Sequence, residues 1–208
     1  MKYMRTLGLT ATAVATVVAF AGASTAVAAD RLCETNTTPC TSPVAANGSI
    51  TFQAAEVIVI GETEFTCASS TTTFKVTKND GTVNPTGEIT ALSWTNCKDL
   101  THGIACAVTA QNLPYHAEIT TPGPNLTIKP HLGGGGPGMK FSCGMFLVCT
   151  YQRPDFTLPV DVGAPAAVTM EEVEYEKVGG GGLCPREFFL DANYVAESPT
   201  SSLLVTSS

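Results

Sequence analysis

Eight cysteines, at Cys33, Cys40, Cys67, Cys97, Cys106, Cys143, Cys149 and Cys184, all follow an N-terminal segment patterned as an export signal, and none precedes it. An oxidising destination favours disulfides, and an even count leaves no obligatory free thiol. The steps in residue number between successive cysteines are 7, 27, 30, 9, 37, 6 and 35, so no C-x-x-C occurs, and three histidines are too few to complete zinc sites. The chain is therefore read as stapled by disulfides. Spacing leaves the connectivity open. Cys33/Cys40 and Cys97/Cys106 lie close enough to close a loop or hairpin each, and Cys143 and Cys149 can pair locally or each reach Cys67 or Cys184.

Lys2 and Arg5, an uncharged stretch over 7–20, and Ala26-Val27-Ala28 ahead of Asp30 make up a signal peptide over 1–28, with cleavage after Ala28. The apolar stretch is too short and too rich in Thr and Ala for a membrane span, so none is expected after cleavage. Residues 29–198 are expected to form a single β domain, and 199–208 a Ser/Thr-rich tail in which Leu203-Leu204-Val205 adds an edge strand. Without Lys2 and Arg5, nine basic residues face eighteen acidic ones, a formal charge of −9 against −7 for the full chain. The basic residues are scattered singly, which argues against nucleic acid or an anionic membrane as partner, because phosphate binding draws on clustered Lys and Arg.

Segments over 49–53, 57–60, 72–77, 88–94, 104–110, 115–121, 126–129, 140–142, 146–152 and 156–160 are rich in Thr, Val, Ile and aromatics and read as strands. Turn residues punctuate them at Asn79-Asp80-Gly81, Pro85-Thr86-Gly87, Pro122-Gly123-Pro124-Asn125 and 133–138. Short strands with this spacing indicate an all-β fold: an antiparallel β-sandwich, Ig-like or jelly-roll-like, held by disulfides, with a β-barrel as the alternative. Within 88–94 the alternation is imperfect. Over 166–178, Val168, Met170, Val173, Tyr175 and Val178 fit part of a helical stripe or two strands offset by a bulge; the period of two within Val168/Met170 and Val173/Tyr175 favours the strands. The last long strand is placed at 187–195.

Trp94-Thr95-Asn96-Cys97, Cys106-Ala107-Val108-Thr109-Ala110 with Leu113-Pro114-Tyr115, Phe141-Ser142-Cys143 with Cys149-Thr150-Tyr151, and Cys184-Pro185 with Leu190-Asp191-Ala192-Asn193-Tyr194 resemble a group of small secreted, cysteine-containing β proteins of actinobacteria, of unknown function. The resemblance covers most of the mature chain and implies export, disulfides and a β fold. It implies no active-site residues.

No catalytic, cofactor or metal site is assigned, and no cofactor is expected. His116-Ala117-Glu118 spells the H-x-E of zinc deaminases but lacks the following P-C-x-x-C. On a strand the two side chains share one face and suit a solvated pair. His102 and His131 have no nucleophile beside them. Gly133 to Gly138 has P-loop spacing, yet Met139-Lys140-Phe141 stands where Gly-Lys-Ser/Thr is needed, so a flexible or tight surface loop is expected. Glu171, Glu172, Glu174 and Glu176 crowd one segment, but alternation sends Glu172, Glu174 and Glu176 to a solvated outer face, and no D-x-D-x-D-G loop supports calcium there. Trp94 is expected in the core beside Cys97. Three functions fit: a secreted non-enzymatic protein recognising an extracellular or cell-envelope partner through its loops, which is preferred; a carrier of a small apolar ligand; and an extracellular hydrolase using Glu172 or Glu174.

Overall fold

A computed structural model describes residues 30–35, 40–120, 125–131, 134–145, 147–161, 165–198 and 204–207. The expected signal peptide over 1–28, Thr121, the expected turn residues Pro122-Gly123-Pro124, Gly133, Phe146 and Leu203 lie outside them. The described chain is all-β. Its strands are β1 (Asp30–Cys33), β2 (Ser49–Ala54), β3 (Val57–Ile60), β4 (Phe65–Cys67), β5 (Ser69–Lys78), β6 (Thr86–Thr95), β7 (Cys97–Asp99), β8 (Ile104–Gln111), β9 (Tyr115–Thr120), β10 (Asn125–Lys129), β11 (Gly138–Cys143), β12 (Leu147–Gln152), β13 (Phe156–Asp161), β14 (Ala167–Gly180), β15 (Glu187–Ser198) and β16 (Leu204–Ser207). β1 and β16 pair with each other, and the other fourteen form one antiparallel sheet. An all-β, disulfide-bearing antiparallel fold is thus what the sequence pattern implied.

The long β14–β15 hairpin organises this sheet. Its pairing runs from Ala167↔Val195 to Glu176↔Glu187, and each strand changes its other neighbour midway. The start of β14 borders β13 and its end borders β12; the start of β15 borders β3 and its end borders β2. Two halves result. One holds β2, β5, β6, β9, β10 and β13, the other β3, β4, β7, β8, β11 and β12, and the chain passes repeatedly from one to the other, so neither half is a contiguous segment.

Apolar side chains at alternate positions fill both halves. In β9, Tyr115, Ala117 and Ile119 are buried, and in β13 Phe156, Leu158 and Val160 are. The second half is packed around rings: Phe141 lies 5.2 Å from Phe65 and 5.4 Å from Phe188, and Tyr175 stacks on Phe188 at 5.2 Å. Irregular alternation has a local cause in both places where it was met. In β6, Ile89 pairs with Phe74 but Ala91 with Thr73, so Thr90 is an inserted residue that resets the faces. In β14 the register shifts between Met170 and Val173, so that both pairs, Val168/Met170 and Val173/Tyr175, point inward.

The bridges are Cys33–Cys40, Cys67–Cys97, Cys106–Cys143 and Cys149–Cys184. The Cys33/Cys40 expectation holds, and of the alternatives for Cys149 the reach to Cys184 is the one realised, but Cys143 takes none of the partners expected for it and bonds Cys106 on the adjacent strand. The Cys97/Cys106 expectation does not hold. These two cysteines do face each other across the β7–β8 hairpin, but each is bonded to the strand on its other side. Four disulfides are compatible with an extracellular location.

Candidate functional site

Two of the three histidines have a carboxylate partner. Asp99 ends β7 with no exposed surface. Its carboxylate accepts the His102 backbone N–H at 3.0 Å and lies 2.8 Å from His102 Nδ1, closing the turn into β8. His131 Nδ1 stands 3.8 Å from Glu88 Oε1. His116 registers against Glu88 and Lys129 on the neighbouring strands. Glu171 and Glu172 sit exposed at the β14 bulge, where the Glu172 N–H donates to Asp191 Oδ1 at 2.6 Å; Glu174 is half-buried and Glu176 exposed, on the face opposite buried Val173 and Tyr175. Among the described residues, no three His, Cys, Asp or Glu side chains converge as metal ligands.

The first half encloses an apolar cavity of about 80 Å³, bordered by Leu32, Phe74, Trp94, Met139, Tyr175 and Tyr194 among others. Ligand pockets typically span ~300–1,000 Å³, so this void is several-fold too small for a drug-sized or long-chain apolar ligand. Trp94 packs against the core but is only half-buried, because β6 leaves β9 after Ile89 and meets β8 only at Ser93↔Thr109. It lines the side of the cavity and is less enclosed than the sequence suggested.

The glycine runs are not phosphate cradles. A side chain at Gly136 would collide with the Arg153 carbonyl, and Asn112 Nδ2 donates to the Gly136 carbonyl at 2.9 Å. Gly180 adopts φ 115° and lies so close to Val148 and Cys184 that a Cβ there would be 2.6 Å from Cys184 Sγ.

What stands out is the loop end of the second half. The turns β3–β4, β7–β8, β11–β12 and β14–β15 all leave the sheet at the same end, as the registers Phe65↔Asp99↔Ile104, Cys106↔Cys143↔Leu147 and Cys149↔Gly180 require. Of the eight large apolar side chains exposed among the described residues, seven lie in this half: Ile60, Leu100, Ile104, Met145, Val148, Val178 and Leu183. Met145 is 86 % and Leu183 79 % exposed, at the tips of two of these turns. Cys106–Cys143 and Cys149–Cys184 anchor the bases of the same turns. The order this imposes reduces the entropy lost when a partner is bound. Sequence patterning missed this surface; its signals were isolated apolar residues beside glycine and cysteine, in Cys143-Gly144-Met145 and Gly182-Leu183-Cys184. No protein-family model matches the chain, and no curated protein or solved structure shows significant similarity to it.

Proposed function

We propose that this is a secreted, non-enzymatic protein that recognises an extracellular or cell-envelope partner through the apolar loop end of its second half. Export over the 1–28 signal, as in the actinobacterial secreted proteins it resembles, accounts for the disulfides. The observation that carries the reading is the gathering of Leu100, Ile104, Met145, Val148 and Leu183 at turns that disulfides hold in place. Exposed apolar side chains scattered singly need no explanation, whereas concentration at one end marks an interaction surface. The carrier reading is second, since a void of about 80 Å³ admits only a very small guest.

The test compares mature protein with a Met145→Glu/Leu183→Glu variant for binding to envelope fractions of the exporting cells. Both side chains are largely exposed, so the variant should retain stability within about 0.5 kcal/mol. Binding should fall more than about tenfold if these tips are contact hot spots. Equal binding by the two proteins would refute the assignment of the surface.

A further inference from the structure

Cys67, Cys97, Cys106 and Cys143 stand in one row across four neighbouring strands. β4 and β7 pair Phe65 with Asp99 and Thr66 with Lys98, and the next step sets Cys67 opposite Cys97. β7 and β8 pair Cys97 with Cys106, and β8 and β11 pair Cys106 with Cys143. Directly opposed residues share a face with Cβ atoms about 4.5–5.5 Å apart, so each adjacent pair is within reach of a disulfide after a small shift. Bridges occupy the outer two steps, with Cα–Cα distances of 3.9 and 4.1 Å, and the middle step is unbridged. Cys67, Cys97 and Cys143 are buried, and Cys106 alone in the row is a partly exposed residue.

We infer that Cys106 is a thiol-exchange site through which one molecule of a small dithiol, donating two electrons, changes the connectivity of the whole row. The external thiolate attacks Cys106 Sγ and releases Cys143 as a thiolate. The second thiol of the reductant then attacks its own sulfur in the mixed disulfide, leaves as the cyclic disulfide and frees Cys106. The Cys106 thiolate attacks Cys97 Sγ from the side away from Cys67, as in-line displacement requires, and Cys67 departs as a thiolate. The first two steps consume one dithiol, and the last is redox-neutral.

The row has two discrete arrangements for a simple reason. Fully oxidised, it satisfies all four sulfurs only with the two outer bridges, because a middle bridge would leave Cys67 and Cys143 three strand spacings apart, about 14 Å. With one bridge removed, the middle pairing competes. Cys97 and Cys106 already stand directly opposed across the β7–β8 hairpin, so the middle bridge forms between neighbours in the sheet without any strand changing its place. The exchanged form ties the β7–β8 hairpin and releases β4 from β7 and β8 from β11. The chemistry is independent of what the loop end binds.

Native protein titrated with dithiothreitol, quenched in acid, alkylated and peptide-mapped tests this. Wherever Cys143 carries label, Cys67 should carry it too, with Cys97 and Cys106 recovered as a linked pair. Label on Cys106 and Cys143 with Cys67–Cys97 intact would overturn the inference, as would Cys143 remaining unlabelled until the whole protein unfolds. Cys143→Ser gives a second readout without reductant: Cys67 should be the alkylated thiol, and alkylation of Cys106 would contradict it.

Discussion

Asn79 binds Leu32 as a neighbouring strand would. The Leu32 N–H donates to Asn79 Oδ1 at 2.9 Å, and Asn79 Nδ2 donates to the Leu32 carbonyl at 2.8 Å and to the Val44 carbonyl at 2.9 Å. A side chain thus completes the hydrogen bonding of β1 on the edge away from β16, and holds Leu32 against the cavity in the first half. Asn79→Ala should leave buried backbone groups unpaired and cost about 2–4 kcal/mol. Asn79→Asp should not rescue it, because a carboxylate can accept from Leu32 but cannot donate to either carbonyl. Denaturant unfolding measures the loss, and faster hydrogen exchange at the Leu32 amide locates it.

The four bridges should not contribute equally. In the chain-entropy account a bridge stabilises more as its loop lengthens. Cys33–Cys40 spans 7 residues and Cys149–Cys184 spans 35, which corresponds to about 2.4 and about 3.8 kcal/mol. Replacing both cysteines of each pair by Ala, so that no stray thiol remains, should lower the unfolding free energy more for the second pair. Reduction of all four should lower Tm sharply. Equal losses from the two double variants would show that native-state contacts, and not loop length, set the contributions.

Gly180→Ala tests the packing under the apolar loop end. The backbone there has φ 115°, and an added methyl would meet the Val148 carbonyl at 2.5 Å and Cys184 Sγ at 2.6 Å. Backbone strain alone costs about 1–3 kcal/mol for a non-glycine residue in such a region, and the collision with the bridge adds to it. Gly181→Ala should be mild, because a Cβ there meets nothing within 4 Å. Thermal melts of the two variants separate a glycine required by its surroundings from one that only sits in a loop.

Strand identity was legible in the sequence wherever β-branched and aromatic side chains clustered, in the four residues of β3 as in longer runs, and the β14 bulge was legible because Val168/Met170 and Val173/Tyr175 kept period two on both sides of it. β1 and β7 were not, since Asp-Arg-Leu-Cys and Cys-Lys-Asp hold no β-branched or aromatic residue, nor was the three-residue β4, and Leu32 depends on Asn79, 47 positions away. Disulfide pairing failed at Cys97 and Cys106 for a related reason. Their spacing correctly marks a hairpin, but which neighbour each sulfur chooses depends on β4 and β11, strands brought alongside only by the long-range sheet order. The loop-end surface was hidden because exposure belongs to the fold and cannot be read from an apolar residue in isolation.

Alkaline pH should unfold the protein through its tyrosines. Tyr115, Tyr151, Tyr175 and Tyr194, all the tyrosines apart from Tyr3, which lies outside the described residues, are buried. Burial pushes the Tyr194 hydroxyl up to about 12, opposed in part by its bond to Ser70 Oγ at 2.8 Å. Tyr151 is likewise raised to about 12 by burial and by the Glu62 carboxylate, and burial raises Tyr175 and Tyr115 as well. The folded state therefore keeps these protons at pH values where an unfolded chain, with tyrosine near 10, releases them. Stability from this source is complete below pH 10 and is lost as pH rises from 10 through 12, each tyrosine adding up to about 1.4 kcal/mol per pH unit to the slope. Phenolate absorbance should consequently stay low past pH 10 and then rise in one steep step coincident with loss of the β circular-dichroism signal. Gradual titration near pH 10 with the fold intact would show that water reaches these rings and that the packing around Phe188 is looser than the structure has it.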